Sequence, residues 1–170
     1  MSAYPYDETF VYTSVDDPRA QPLFDGLEQE YDSRYADVRR RIGGSAREEL
    51  QRYPAQAFAA PVGAFMPHRD ADTAEFKRIW TLPGLRRQGI ARRVLRELEA
   101  QAVRQGYRRV FLTTGFRQPE AVGLYLSHGY TALFDLQADP ETAAHLPFEK
   151  QLLPALAPSP AAPHLYGATA

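Results

Sequence analysis

The sequence predicts an α/β layer fold built on a mixed sheet, and three observations predict it. Segments of strand and helix periodicity alternate along the chain. An apolar strand pattern over 74–82 runs directly into a basic, glycine-bearing loop and then into an amphipathic helix. Finally, 170 residues with 44% apolar and 24% charged content suffice for one domain with a genuine core.

The elements follow in order. Residues 9–15, T-F-V-Y-T-S-V, are β-branched and aromatic and read as a first strand, stopped by Asp16, Asp17 and Pro18. Leu23, Phe24, Leu27 and Tyr31 recur at helical spacing, which predicts a helix from about Pro22 to Arg34. Gly43 and Gly44 break the next segment, and Ser45 with Glu48 forms a capping-box pattern for a short helix ending near Arg52. Residues 56–66 are apolar but interrupted by Pro61 and Gly63, and read as one or two short strands. Over 74–82, Phe76, Trp80 and Leu82 are expected to alternate onto one strand face, with Glu75 on the other.

After the loop, Ile90, Val94, Leu98 and Ala102 share one helix face, and Gly106 suits the position just past the C-terminus. Arg109–Thr114 is a strand, and Pro119 opens a helix over Glu120–His128 that Gly129 stops. Tyr130–Leu136 and Phe148–Leu153 are the last strand candidates. The organisation is one domain over 1–153, followed by a Pro- and Ala-rich tail over 154–170 expected to be extended or flexible. That tail is a candidate to rest on a neighbouring subunit, as in a homodimer.

Composition removes several function classes. A net charge of −1, from 20 Lys and Arg against 21 Asp and Glu, gives no basic excess for nucleic acid. With no cysteine there are no disulfides, thiolate nucleophiles or cysteine-bound metals. His68, His128, His145 and His164 are isolated from one another, so no metal is expected. No apolar run approaches the ~20 residues of a membrane span. The first residues, M-S-A-Y-P-Y-D-E, lack the layout of a signal peptide, and a cytoplasmic location is expected.

The chemistry centres on residues 86–91, R-R-Q-G-I-A. Small residues at Gly89 and Ala91 let a phosphate approach the main chain, and a helix N-terminus offers unpaired N–H groups and a favourable dipole. A dinucleotide fingerprint needs G-x-G-x-x-G, and a triphosphate loop needs G-K-[ST]; both fail on the letters. A strand ending in Pro followed by R-x-x-G-x-A, with Arg86, Gly89 and Ala91 at the specified positions, resembles the acetyl-coenzyme A motif of the GNAT superfamily of N-acetyltransferases. Residues 117–130 resemble that family's second signature through Ala121, Leu124, Tyr125, Gly129 and Tyr130, with Gln118 where Asn is usual. Two motifs in the right order are jointly specific.

The resemblance implies a three-layer fold whose mostly antiparallel sheet is splayed between its fourth and fifth strands. It implies acetyl-CoA as co-substrate, bound by the main chain of Ile79, Trp80 and Thr81, with the backbone of Arg87, Gln88, Gly89, Ile90, Ala91 and Arg92 around the pyrophosphate. Arg86 would add charge there, and Gln118 a polar contact to the pantetheine arm. Tyr125 stands where the family places its general acid, and Glu75 where the histone-modifying branch places its base; a water-relayed carboxylate is the common substitute. Tyr31, Arg34 and Tyr35 are candidates for the acceptor pocket, Arg34 favouring an acceptor that bears a carboxylate. The implied activity is acetyl transfer to a primary amine of a small molecule or peptide. The alternative is a catalytically idle acyl-CoA-binding sensor. The family's second and third strands form a generous hairpin, for which 56–66 leaves little room.

Overall fold

The computed structural model describes Phe10 and residues 17–42, 63–143 and 145–152. The strand expected over 9–15 (Phe10 apart), the helix over 45–52, most of 56–66 and the tail lie outside the described residues. Among the described residues, five strands form one sheet: β1 (Ala64–Pro67), β2 (Thr73–Lys77), β3 (Arg109–Thr114), β4 (Thr131–Ala132) and β5 (Leu146–Gln151), in the spatial order β1-β2-β3-β5-β4. All neighbours are antiparallel except β2 and β3, which are parallel and joined through a helix. The helices are α1 (Gln21–Ile42), α2 (Ile90–Arg104) and α3 (Pro119–Ser127).

One sheet face carries the core. Phe76, Leu112 and Phe148 stand side by side in register on β2, β3 and β5, each no more than 1% exposed. Against them α2 presents Val94, Leu95, Leu98 and Ala102, the expected stripe with Leu95 added and Ile90 only half-buried. Helices α2 and α3 end alike. The N–H of Tyr107 reaches the carbonyl of Ala102 and that of Gly106 reaches Val103; Tyr130 reaches Tyr125 and Gly129 reaches Leu126 in the same pattern. Gly129 adopts φ 83°, a left-handed turn that favours glycine, and the Tyr130 ring then folds back to 5.6 Å from that of Tyr125. The Gly-Tyr pairs in the sequence are thus helix stops that also pack the residue beyond the turn.

Several expectations change. The strand over 74–82 ends at Lys77, because Arg78 takes φ 60° and swings the chain off the sheet. The face alternation resets there: Phe76 stays in the sheet core, while Trp80 and Leu82 join Ala20, Leu23, Phe24 and Leu27 of the α1 side. A Cβ at Gly26 would run into the Trp80 indole, so α1 needs glycine at that crossing. Helix α1 continues past Arg34 to Ile42 through a kink at Tyr35 (φ −125°, ψ 16°). The strand expected over 130–136 reduces to Thr131–Ala132, and the last one shifts to Leu146–Gln151. The short room before β2 is met by direct pairing of β1 with β2 across a tight turn at 68–72.

Candidate active site

A cleft of about 1080 Å³ opens where β2 leaves the sheet. Parallel pairing of β2 with β3 stops at Phe76–Leu112, whereas β3 stays paired with β5 as far as Thr114–Leu146. The inner edge of Thr113 and Thr114 therefore faces the departing arm Arg78–Leu82 across a gap. Among the described residues, the main-chain groups of Ile79 and Trp80 make no backbone hydrogen bond. A row of free peptide groups beside a cleft suits an extended, amide-bearing ligand that completes the missing ladder. Thr81 points the same way: its Oγ1 is buried and has no hydrogen-bond partner among the described residues, although the residue lines the cleft.

One end of the cleft is built for an anion. A 3₁₀ turn at Pro83–Leu85 leads to Arg86, then Arg87 (φ 62°) and Gly89 (φ 77°) turn the chain left-handed into α2. The first intrahelical bond is made by Arg93 to the Gly89 carbonyl, so the N–H groups of Ile90, Ala91 and Arg92 are left for a ligand. A Cβ at Gly89 would meet nothing, but its φ is one that other residues rarely adopt. Arg87 is exposed beside this terminus, and among the described residues Arg92 reaches only Ser127 Oγ, at 3.5 Å. Backbone donors, helix dipole and guanidinium charge converge there, as phosphate groups require.

Helix α3 supplies another part of the cleft lining. Tyr125 lines the cleft and is 5% exposed, held between Tyr130 and Phe148. Burial pushes its phenol well above the ordinary range, and the nearby Tyr31 adds to the effect. It is therefore a neutral hydroxyl at physiological pH. It has no hydrogen-bond partner among the described residues, so its proton is available to a bound molecule. Gln118 spends its carbonyl internally, accepting from Thr114 Oγ1 (2.7 Å) and from the Gly115 N–H (3.2 Å). Its side-chain amide nitrogen is left as the donor toward the cleft.

The sequence model of the acetyltransferase (GNAT) family matches residues 20–130, most of the chain and all of the cleft. The chain belongs to the GNAT acetyltransferase family. No curated protein matches it significantly by sequence. Among solved structures, it is similar to a GNAT-family acetyltransferase of Staphylococcus aureus (TM-score 0.63, 12% identity, 85% of this chain and 99% of that one). It is also similar to the PaiA N-acetyltransferase of Thermoplasma acidophilum, solved with coenzyme A (TM-score 0.56, 17% identity, 84% and 98%). N-acetylglutamate synthase of Neisseria gonorrhoeae, solved with coenzyme A and N-acetylglutamate, superposes over part of its length (TM-score 0.57, 13% identity, 85% and 35%). At these identities the likeness is one of fold.

In this GNAT member the cleft gathers most of the residues singled out from sequence: Tyr31, Arg34, Ile79, Trp80, Thr81, Arg86, Arg87, Gly89, Ile90, Ala91, Arg92, Gln118 and Tyr125 all line it. Three do not. Glu75 sits on the sheet face opposite Phe76, in register with Phe111, and its carboxylate is paired with Lys77 at 2.6 Å. The strand pleat that buries Phe76 turns Glu75 away from Tyr125. Tyr35 is 9% exposed and packs edge-on to Phe116, its hydroxyl accepting from the Arg117 N–H at 3.1 Å; it pins α1 to the β3–α3 loop. Gln88 is exposed beside the loop. Arg34 does line the cleft, but its guanidinium is engaged by Glu30, Glu120 and the Arg117 carbonyl, which leaves little for an acceptor carboxylate.

Two carboxylates that sequence reasoning missed stand in the cleft, Glu30 and Glu120. Burial would raise the Glu30 carboxyl, but hydrogen bonds from Trp80 and Arg86 and the charges of Arg86 and Arg34 outweigh it and hold the group below its ordinary range. Glu120 is likewise held low, burial being outweighed by Arg34, yet its side chain is 55% exposed. The signal for Glu30 was present: Leu23, Leu27, Glu30 and Arg34 share one helix stripe, and a charge on an apolar stripe needs a partner. Among the described residues, no cluster of His, Asp and Glu could hold a metal, and no helix is long and apolar enough to cross a membrane.

Proposed function

We propose that this protein is an N-acetyltransferase that moves the acetyl group of acetyl-CoA to a primary amine of a small molecule or peptide, by direct attack of the amine. One observation carries the reading: a phosphate-ready helix N-terminus and a tyrosine whose hydroxyl has no partner among the described residues line one cleft, together with the main chain of Ile79 and Trp80, which makes no backbone hydrogen bond among those residues. Acetyl-CoA supplies an activated thioester and, in its phosphates and amides, the groups these residues are suited to hold. The N–H groups of Ile90, Ala91 and Arg92, with Arg87, hold the pyrophosphate. The backbone of Ile79–Thr81, the Thr81 hydroxyl and the Gln118 amide align the pantetheine arm.

The amine nitrogen forms a bond to the acetyl carbon as the carbon–sulfur bond breaks, and Tyr125 gives its proton to the departing sulfur. Its raised pKa keeps it protonated for that purpose. The proton lost by the amine leaves through water, with Glu120, the more open of the two cleft carboxylates, orienting the incoming ammonium. Glu75 does not enter the reaction. We read residues 1–153 as the acetyltransferase domain, acting in the cytoplasm.

The test is release of coenzyme A thiol, followed with a thiol-detecting reagent across a panel of amines. Amine-dependent release supports the reading. Tight coenzyme A binding with no amine-dependent release would instead make the protein an acyl-CoA-binding module without turnover.

A further inference from the structure

Arg86, the first specified residue of the loop motif, does not point its charge at an open anion site. Its Nη2 donates to Glu30 Oε2 and its Nε donates to the Thr81 carbonyl at 3.0 Å. The same Glu30 oxygen accepts from Trp80 Nε1 at 2.6 Å, and Oε1 accepts from Arg34 Nη2 at 2.7 Å. Arg34 continues to Glu120 at 2.5 Å, on the helix that carries Tyr125, and donates to the Arg117 carbonyl at 2.8 Å. A chain of charges, Arg86–Glu30–Arg34–Glu120, thus runs from the loop to α3 by way of α1. It spans the two arms at the place where β2 and β3 share no backbone ladder. The Glu30 side chain is 15% exposed, which places this contact in a poorly solvated setting where geometry is held tightly.

We propose that Glu30 is a positioning residue of the donor site: it draws Arg86 away from the phosphates and, through Arg86 and Trp80, fixes the departing arm Ile79–Thr81 at the spacing the donor requires. The phosphate charge is then met by Arg87, Arg92 and the helix N-terminus, while Arg86 and Glu30 act as one unit. This rests on the coenzyme A reading above. Trp80 is the only tryptophan of the chain, so its emission reports on the Glu30 contact without labelling.

The experiment uses the full chain as wild type, Glu30→Gln, Arg86→Gln and the double variant, with Leu27→Ala as a control that loosens α1 in its apolar contact alone. Coenzyme A affinity is measured by calorimetry at low and moderate salt, Trp80 emission in the absence of ligand, and thermal midpoints for all five proteins. The expected result is that each single variant binds coenzyme A about tenfold more weakly, the double variant no more weakly than either single one, and the salt dependence of Arg86→Gln matches wild type. Trp80 emission shifts in Glu30→Gln, which removes the charge its indole N–H donates to; Leu27→Ala, in the same apolar cluster as Trp80, is compared for affinity and thermal midpoint alone. Multiplying losses in the double variant, or a weakened salt dependence in Arg86→Gln, would overturn the proposal by making Arg86 an independent phosphate ligand. The same affinity loss in Leu27→Ala at a matched thermal midpoint would reduce Glu30 to fold maintenance and overturn it too. A wild type that does not bind coenzyme A removes the acetyltransferase reading and this inference together; binding with independent losses removes only this one.

Discussion

Two carboxylates, Glu30 on α1 and Glu99 on α2, gather similar partners and stand in different places. Glu30 accepts from Trp80, Arg86 and Arg34 on the wall of the cleft. Glu99 accepts from the Tyr130 hydroxyl at 2.9 Å and from Lys150 at 2.8 Å, with His128 3.7 Å away, and none of these lines the cleft. Lys150 also donates to the His128 carbonyl at the end of α3 and lies over the Tyr130 ring. The first cluster ties together two arms that have no shared ladder. The second closes the seam where α2, α3 and β5 meet. Similar chemistry serves ligand geometry in one place and stability in the other, and position relative to the splayed strands decides which.

The largest effect separates the two tyrosines that bridge these regions. Tyr125→Phe should lower kcat by about 100-fold or more, since it removes the proton donor and little packing. Tyr130→Phe should leave kcat within about threefold while lowering the thermal midpoint, because its hydroxyl serves Glu99. Steady-state kinetics and thermal unfolding on both variants check the pair. Full activity in Tyr125→Phe would remove it as the acid.

Next comes Glu99→Gln. The Lys150 ammonium loses its counter-charge in a half-buried site, and stability should fall by about 1–3 kcal/mol with coenzyme A affinity unchanged. Denaturant titration and calorimetry together test this. A loss of affinity matching that of Glu30→Gln would erase the distinction between the clusters.

A smaller effect is expected at Gly89, whose φ of 77° disfavours a Cβ by about 1–2 kcal/mol. The loop should relax rather than the core unfold, so Gly89→Ala should weaken coenzyme A about tenfold with a nearly unchanged thermal midpoint.

The smallest effects are in pH. Burial holds His128 below its ordinary 6.5, with Glu99 opposing and Lys150 adding to the shift. The unfolded chain therefore binds that proton more readily, and the stability is full above pH 6.5 and lost as pH falls through the lower folded value. Glu30 is held below its ordinary 4.5, so its contribution is full above that pH and fades only further down. Thermal midpoints should begin to fall below pH 6.5, whereas Trp80 emission should stay constant until the pH is well below 4.5.

The half of the cleft proposed for the donor was legible as a loop and helix start because it is made of backbone. Gly89, Pro83 and the small residue at Ala91 stand at the turn and helix start, where main-chain geometry constrains the amino acid, so letters and spacing carry the information. The side-chain contacts that hold the cleft's walls were not. Glu30 meets Arg86, and Arg117 meets Asp37 and Glu141, across chain separations that only the folded layers close. Helix periodicity alone gave no partner for Glu30. Glu75 illustrates a second limit: alternation correctly set it opposite Phe76, but which face holds the reacting groups depends on where α3 lands. The left-handed residue at Arg78, which ends β2 early and reverses the side Trp80 takes, left no trace in residue type.

Hydrogen–deuterium exchange of the full chain with and without acetyl-CoA tests the donor cleft most directly. Slowed exchange confined to 79–81, 86–92 and 113–118, with 99–104 and 146–151 unchanged, is the predicted result. Protection centred on the Glu99 seam, or none along the departing arm and the loop, would contradict it.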